Sequence, residues 1–320
     1  MPKAQANGIE IEYEEMGAGE PLVLVMGIGA QLVLWPDGFC AMLADRGFRV
    51  LRFDNRDVGL STKFTAAGTP KPMDTLARAM LGRPVAPPYS LVDMADDVAG
   101  LLDALELDAA HLVGCSLGGM IAQTFAITHP HRIRSLTSIM ASPGGLRFML
   151  SRPSAVRELL TPSPRTADEA QEGLLRYVSK VGSPRFPPDE AGVRRAALRA
   201  FERCSDTRGF TRQLAAMVGS GSRAEALRFV RTPTTVLHGA ADPLILPFAG
   251  RATARAIPAA RLRIIEGMGH DLPPGVWPIL VEEIVAVARR ARRPRHAREN
   301  ATGFAPRGLA LVNGVGQLHT

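Results

Sequence analysis

The sequence has 320 residues, of which 46% are hydrophobic and 22% are charged, with a formal net charge of +7 at pH 7. This composition is typical of a folded globular protein and excludes disordered and fibrous classes. Residues 289 to 320 carry seven arginines and one glutamate, so nearly all the net charge lies in this segment and we expect no nucleic-acid partner.

Seven short runs rich in β-branched residues and leucine predict β-strands. Several are apolar on both faces, which is typical of parallel strands buried between helices. The first run instead alternates isoleucine or tyrosine with glutamate, which favours an edge strand. The predicted strands are Gly8 to Tyr13, Pro21 to Met26, Arg49 to Asp54, Ala110 to Cys115, Ser135 to Met140, Thr234 to His238 and Arg261 to Ile265.

Helical patterns lie between these runs, and the alternation of strands and helices predicts a parallel sheet. In one helix, apolar residues from Leu91 to Leu105 recur at helical spacing. We expect its four aspartates to face away from that stripe: Asp93, Asp96, Asp97 and Asp103. The predicted helices are Phe39 to Arg46, Leu91 to Leu105, Leu117 to His129, Ala249 to Ala256 and Trp277 to Ala291.

The alternation stops for about ninety residues, where helical patterns occur without a convincing strand. We predict a helical cap over 143–231, inserted into a core formed by 1–142 and 232–290. Its apolar residues exceed what a solvated linker needs, and we expect them to form one wall of an apolar substrate pocket: Phe148, Met149, Leu150, Leu159, Leu160, Leu174, Leu175 and Tyr177. The alternative is a set of irregular surface helices without a functional role. A basic tail over 291–320 lacks periodicity and is predicted to be disordered, although Leu309 to Val312 could dock.

The three cysteines, Cys40, Cys115 and Cys204, are odd in number and widely spaced. That pattern argues against a disulfide framework or a zinc site. The N-terminal residues show no signal-peptide pattern, and no segment approaches the roughly 20 apolar residues of a membrane helix. We therefore expect a cytoplasmic protein without a membrane span.

A glycine-rich turn follows the strand predicted over Ala110 to Cys115. Its sequence, GCSLGG at 114 to 119, places the pattern G-x-S-x-G between a strand and a helix. Such a turn strains the backbone at its centre, and flanking glycines avoid collisions there. Ser116 should stand exposed as a nucleophile, with Leu117 N–H donating to a developing oxyanion. Cys115 precedes the apex and should point into the core instead.

A serine nucleophile needs a histidine that takes its proton. Six of the seven histidines lie in predicted strands, at the far end of the helix after Ser116, or in the tail: His111, His238, His129, His131, His296 and His319. His270 remains, in the loop sequence EGMGHD directly after a predicted strand. We predict His270 as the base, the alternative being a surface histidine.

An acidic residue should orient that histidine, and the usual chain order is serine, acid, histidine. Asp242 follows the strand predicted over Thr234 to His238, so its loop opens on the sheet edge that carries Ser116. Its carboxylate would accept the second N–H of His270. Asp271 is the alternative, but sequence neighbours rarely hold each other in that geometry.

The loop after Pro21 to Met26 should supply a second oxyanion donor. Ile28 N–H is our prediction, with Gly29 as the alternative. Gly27 and Gly29 also begin a dinucleotide-type pattern, but the next glycine would be needed where Leu32 stands. No H-E-x-x-H, cysteine cluster or EF-hand pattern occurs, so we expect neither cofactor nor metal.

The loop RFDNRDVGLS at 52 to 61 follows another predicted strand. Its alternating aspartates and arginines could bind a substrate carboxylate. Pairing that holds the loop itself is the favoured interpretation.

These motifs resemble the α/β-hydrolase superfamily over about residues 8 to 290. The stretches MGIGAQLVLWPDGF, GCSLGG, HGAADPLILP and EGMGHDLP are similar to actinobacterial carboxylesterases and lipases related to aclacinomycin methylesterase. The resemblance implies a mostly parallel eight-stranded sheet flanked by helices, with an inserted cap. It also implies carboxylic ester hydrolysis through an acyl-enzyme, with Ser116, Asp242 and His270 at the triad positions.

The expected substrate is a small ester with an apolar portion, either a short to medium chain or a methyl ester. Serine at the turn argues against the dehalogenase and epoxide hydrolase branches, which use aspartate there. Thioesterases, lactonases and cofactor-free peroxidases share the triad and stay open, as does a binding protein with little chemistry. The sequence also leaves open whether the chain forms a homo-oligomer.

Overall fold

An eight-stranded sheet forms the centre of the computed structural model, which describes residues 1–148 and 150–292. The strands are β1 (Lys3–Ala6), β2 (Ile9–Met16), β3 (Glu20–Val25), β4 (Phe48–Phe53), β5 (Ala110–Cys115), β6 (Ile133–Ile139), β7 (Thr234–Gly239) and β8 (Arg261–Ile265). They lie in the order β1-β2-β4-β3-β5-β6-β7-β8. The pairs β1–β2 and β2–β4 are antiparallel and the other five are parallel, which confirms the mostly parallel sheet.

Helices cover both faces of this sheet, and each predicted helix is present to within two residues at either end. The α-helices are α1 (Asp37–Ala44), α2 (Pro72–Met80), α3 (Leu91–Ala104), α4 (Leu117–Thr128), α5 (Pro153–Leu159), α6 (Ala167–Val181), α7 (Glu190–Arg203), α8 (Gly209–Gly219), α9 (Pro247–Ala256) and α10 (Trp277–Arg292). Helices α3, α4 and α9 pack on one sheet face and α1 and α10 on the other, so the central strands from β4 to β7 in the sheet order are buried on both sides, whereas the edge strand β8 is largely exposed.

The edge strand was predicted wrongly. The alternating run occupies β2, which is flanked by β1 and β4, and the edge strand on that side of the sheet is β1. Strand β1 has only four residues, KAQA, and alanine and lysine have little preference for strands. No local pattern therefore indicated it, although Ala4 and Ala6 are buried against the core.

The position predicted for Asp97 was also wrong. Its side chain is buried and accepts two hydrogen bonds from Arg56, both at 2.6 Å. Asp93, Asp96 and Asp103 are at least partly exposed, as expected. The spacing of Asp97 along α3 did not reveal its burial because its partner lies 41 residues away in the chain.

The segment between β6 and β7 contains α5 to α8 and, among its described residues, no strand. Met149, in this segment, and residues 293–320 lie outside the described residues, and with them most of the predicted tail, including Leu309 to Val312. In the part of the chain that the structure describes, no helix has both the length and the apolar character needed to cross a bilayer.

Candidate active site

Ser116 occupies the turn between β5 and α4. Its backbone angles, φ 54° and ψ −121°, are rare for a residue with a side chain and indicate local strain. Glycines permit the turn, because a Cβ at Gly114 would overlap the carbonyl of Gly118, and one at Gly118 would overlap the carbonyl of Val25. The G-x-S-x-G pattern thus forms the predicted sharp turn and presents Ser116 at the C-terminal edge of the sheet.

Two backbone N–H groups at this edge are candidate oxyanion donors. Leu117 begins α4, so its N–H has no intrahelical acceptor. The loop after β3 approaches the serine so closely that a Cβ at Gly27 would lie 3.4 Å from Ser116 Cβ. Gly29 N–H donates to Gln213 Oε1 at 2.8 Å, whereas Ile28 N–H has no protein acceptor within the described residues. The predicted donor Ile28 is therefore unpaired, and the alternative Gly29 is already paired.

His270 lies in the loop after β8, with its ring between the other two predicted triad residues. Nε2 is 3.1 Å from Ser116 Oγ, and Nδ1 is 2.8 Å from Asp242 Oδ2. Because a carboxylate only accepts, Nδ1 carries the proton and Nε2 is left to accept the serine hydroxyl proton. The structure thus brings together three side chains that are distant in the chain: Asp242 lies 28 residues before His270, and Ser116 lies 154 residues before it.

Asp242 is completely enclosed in the loop after β7. Its Oδ1 accepts the N–H groups of Leu244 and Ile245, each at 2.9 Å. Burial opposes ionisation, but the charge of His270 and hydrogen bonds from His238 and His270 outweigh it and hold the pKa of the Asp242 carboxyl well below its usual value. The group is therefore an anion at neutral pH.

Asp271, the alternative acid, points to a different partner. It accepts the hydroxyl proton of Ser183, in the segment after α6. Burial outweighs this hydrogen bond and raises the pKa of the Asp271 carboxyl. The hydrogen bonds of the His270 ring go to Ser116 and Asp242 instead.

A second histidine, His238, contacts the acid, and this role was not predicted because His238 lies inside β7. His238 is fully buried; its Nε2 is 2.7 Å from the Ile245 carbonyl and 3.4 Å from Asp242 Oδ2. The carbonyl can only accept, so Nε2 carries a proton. His238 thus stabilises the loop that holds Asp242, and its place directly before Gly239, the last residue of β7, was the available signal.

Cys115 is buried beside Ser116, and burial raises the pKa of its thiol to about 12. A thiol that stays protonated at neutral pH is a poor nucleophile. This agrees with the prediction of a core residue.

The inserted segment supports the histidine loop through its backbone. His270 N–H donates to the Val181 carbonyl at 2.7 Å, and Gly269 N–H donates to Ser183 Oγ at 2.9 Å. Val181 ends α6, so the end of this helix holds the loop in place. Nothing in the local sequence pairs these segments, because the contacts span more than 80 residues.

A cleft of about 1620 Å³ opens over Ser116 and His270. Of the apolar residues predicted to form a substrate wall, Leu159, Leu160, Leu174 and Tyr177 line it. Three of the other four do not line the cleft. Phe148 packs against Phe248, Leu150 is exposed, Leu175 does not line the cleft, and Met149 is outside the described residues.

The charged loop after β4 is held by arginines from the inserted segment. Asp54 accepts from Leu32 N–H at 2.7 Å and from Arg203 Nη2 at 2.8 Å. Asp57 forms a buried pair with Arg212 at 2.7 Å. These contacts support the structural interpretation of the loop over carboxylate recognition.

Comparison with known proteins gives a consistent result. A protein-family model described as the α/β hydrolase fold matches residues 20–174. The chain is 30% identical over 317 residues to the rhodomycin D methylesterase DnrP of Streptomyces peucetius, which covers 91% of this chain and 99% of that protein. It is 26% identical over 280 residues to the non-heme chloroperoxidase CPO-A1 of Kitasatospora aureofaciens. This alignment covers 83% of this chain and 90% of that protein.

A solved structure has the same fold. The esterase RhEst1 from Rhodococcus sp. ECU1013 superposes with a TM-score of 0.66 over 90% of this chain and 98% of that chain, at 22% identity. At this level of identity the similarity concerns the fold.

Proposed function

Because this chain belongs to the α/β-hydrolase family, we propose that it is a serine hydrolase that cleaves carboxylic esters through an acyl-enzyme. The observation that carries the proposal is the His270 ring, 3.1 Å from Ser116 Oγ on one side and 2.8 Å from Asp242 on the other. The relative named a methylesterase supports ester cleavage, and the buried anionic Asp242 supports histidine as the base.

In the proposed reaction, Ser116 Oγ attacks the ester carbonyl carbon while His270 Nε2 takes its proton. The carbonyl oxygen becomes an oxyanion that accepts hydrogen bonds from Leu117 and Ile28 N–H. The carbon–oxygen bond to the alcohol then breaks, and His270 returns the proton to the departing alkoxide. Water, deprotonated by His270, attacks the acyl-serine, and the carboxylic acid and the free Ser116 hydroxyl are released.

We also propose that residues 143–231 act as a cap. In support, Leu159 ends α5, Leu160 follows it, Leu174 and Tyr177 lie on α6, and these residues all line the cleft over Ser116. An apolar wall excludes water and binds the hydrophobic part of a substrate. A cleft of about 1620 Å³ exceeds the roughly 300–1,000 Å³ of an ordinary small-molecule pocket. It therefore suits a methyl ester of a bulky acid as well as a medium-chain ester.

The cap gives a prediction on α6, where Leu174 lines the cleft and its neighbour Leu175 does not. Leu174→Ala should lower kcat/KM for a p-nitrophenyl octanoate about fivefold to twentyfold relative to the acetate, because each methylene contact is worth about 0.8 kcal/mol. Leu175→Ala, also half-buried, is the matched control and should leave that ratio within about twofold. Equal loss with both esters, or equal effects of both variants, would assign these residues to folding instead of substrate selection.

Two assays of the unmodified protein test the proposed function. Reaction with a fluorophosphonate followed by peptide mapping should place one phosphonyl group on Ser116. A panel of p-nitrophenyl and methyl esters, with thioester and lactone members, should show the highest kcat/KM among the esters. Absence of both labelling and turnover would favour a binding protein.

A cofactor-free peroxidase is the second candidate, favoured by the relative named a non-heme chloroperoxidase. Bromination of monochlorodimedone in the presence of bromide, hydrogen peroxide and acetate, faster than any ester hydrolysis, would favour it over the esterase.

A further inference from the structure

The loop after β3 is held from a distant part of the chain. Gln213 lies on α8, in the inserted segment, and its side chain is fully buried. Its Oε1 accepts Gly29 N–H at 2.8 Å, and its Nε2 donates to the Arg56 carbonyl at 2.8 Å. A backbone N–H can only donate and a carbonyl can only accept, so the orientation of the amide is determined. Gln213 therefore joins the loops that follow β3 and β4.

This bridge determines which N–H group faces the site. Ala30 N–H donates to the Gly27 carbonyl at 3.3 Å, and Gly29 N–H is taken by Gln213. Ile28 N–H stays unpaired among the described residues, in the loop that contacts Ser116. The Phe210 ring lies against Gly29 from the same helix, 3.0 Å from the position of an added Cβ. Helix α8 thus holds the loop through one hydrogen bond and one packing contact.

We propose that Gln213 is a positioning residue for the oxyanion hole, which keeps Ile28 N–H in place for the transition state without touching substrate. The inference rests on the proposed ester hydrolysis. An oxyanion donor acts on charge that develops only in the transition state, so misplacing it lowers kcat and changes KM little. Complete loss of one donor costs about 10²–10³ in kcat, and a loosened donor should cost part of that.

The first variant removes the amide while keeping the length of the side chain. Gln213→Met should lower kcat for p-nitrophenyl butyrate about 10-fold to 100-fold, with KM within about threefold. The matched control is Gln123→Met on α4. Gln123 is also fully buried, but its amide donates to Ser138 Oγ at 3.0 Å, away from the β3 loop. This control should keep kcat within about threefold although it loses a similar buried hydrogen bond.

A second variant, Gln213→Glu, tests through the pH dependence of kcat whether Gln213 positions the oxyanion donor or only stabilises the fold. In Gln213→Glu, the protonated carboxyl still offers the one acceptor and the one donor that the two native hydrogen bonds need. The ionised carboxylate has no donor for the Arg56 carbonyl and adds negative charge near the oxyanion. The charged side chains that adjoin its two contacts in the chain are paired: Arg212, next to Gln213 on α8, with Asp57, and Arg56, whose carbonyl Gln213 binds, with Asp97. The ratio of variant to native kcat should therefore fall about tenfold or more between pH 6 and pH 9, since a buried carboxyl ionises late.

Thermal unfolding of all variants accompanies the kinetics. Low kcat with native KM in Gln213→Met, and a pH-dependent ratio in Gln213→Glu, would support the inference. Native kcat in Gln213→Met, or a ratio for Gln213→Glu that stays constant with pH, would overturn it while ester hydrolysis by the native enzyme stands. If the native enzyme and Gln123→Met both lack ester turnover, the proposed function fails first, and this inference with it.

Discussion

Ser116→Ala is expected to lower ester turnover by about four to six orders of magnitude and to abolish fluorophosphonate labelling. The reason is that the hydroxyl within reach of His270 Nε2 is that of Ser116, and the adjacent Cys115 thiol is buried with a raised pKa. Residual activity should come from substrate binding and the oxyanion donors. Turnover is measured with p-nitrophenyl butyrate and labelling by intact-mass spectrometry.

The control for this substitution is Ser135→Ala. Ser135 is a buried serine on β6 whose Oγ lies 2.8 Å from His111 Nδ1, away from the cleft. Its removal should leave kcat within about threefold. If Ser116→Ala were still labelled to a substantial extent, another nucleophile would have to exist and the assignment of Ser116 would be wrong.

Asp242→Asn is expected to lower kcat by about 10³–10⁴. Leu244 and Ile245 N–H groups hold one carboxylate oxygen, so the introduced amide should keep its oxygen toward them and turn its NH₂ toward His270. His270 Nδ1 then accepts instead of donating, which moves the ring proton to Nε2. A protonated Nε2 cannot take the Ser116 hydroxyl proton. Single-turnover acylation rates measure the effect directly.

Asp271→Asn is the matched control, next in sequence to the base. Its partner is the Ser183 hydroxyl, and an asparagine oxygen can still accept that proton. We expect less than about a tenfold change in kcat, with a modest change in stability. A larger loss from Asp271→Asn than from Asp242→Asn would reverse the assignment of the acid.

Local sequence was sufficient to predict most of the strands, the turn at Ser116 and the two loops that carry His270 and Asp242. Runs rich in β-branched residues and leucine predicted seven of the eight strands, and in the central strands these runs are continuous because both faces are buried. The turn at Ser116 was predictable from GCSLGG, since only glycine at 114 and 118 avoids overlap there. The positions of His270 and Asp242 were also predictable, because they lie in the loops that follow β8 and β7. The carboxyl ends of parallel strands lie at the same edge of the sheet, so both loops open beside Ser116.

Tertiary structure alone decided the contacts between segments far apart in the chain. Nothing near Asp97 indicates its pairing with Arg56, and nothing near Gly29 indicates that Gln213, 184 residues later, accepts its N–H. Strand β1 forms because β2 offers an unpaired edge, although its own residues have little preference for strands. In each case the free energy comes from hydrogen bonds and burial that exist only after the chain has folded, so no local pattern of residue types encodes the partner.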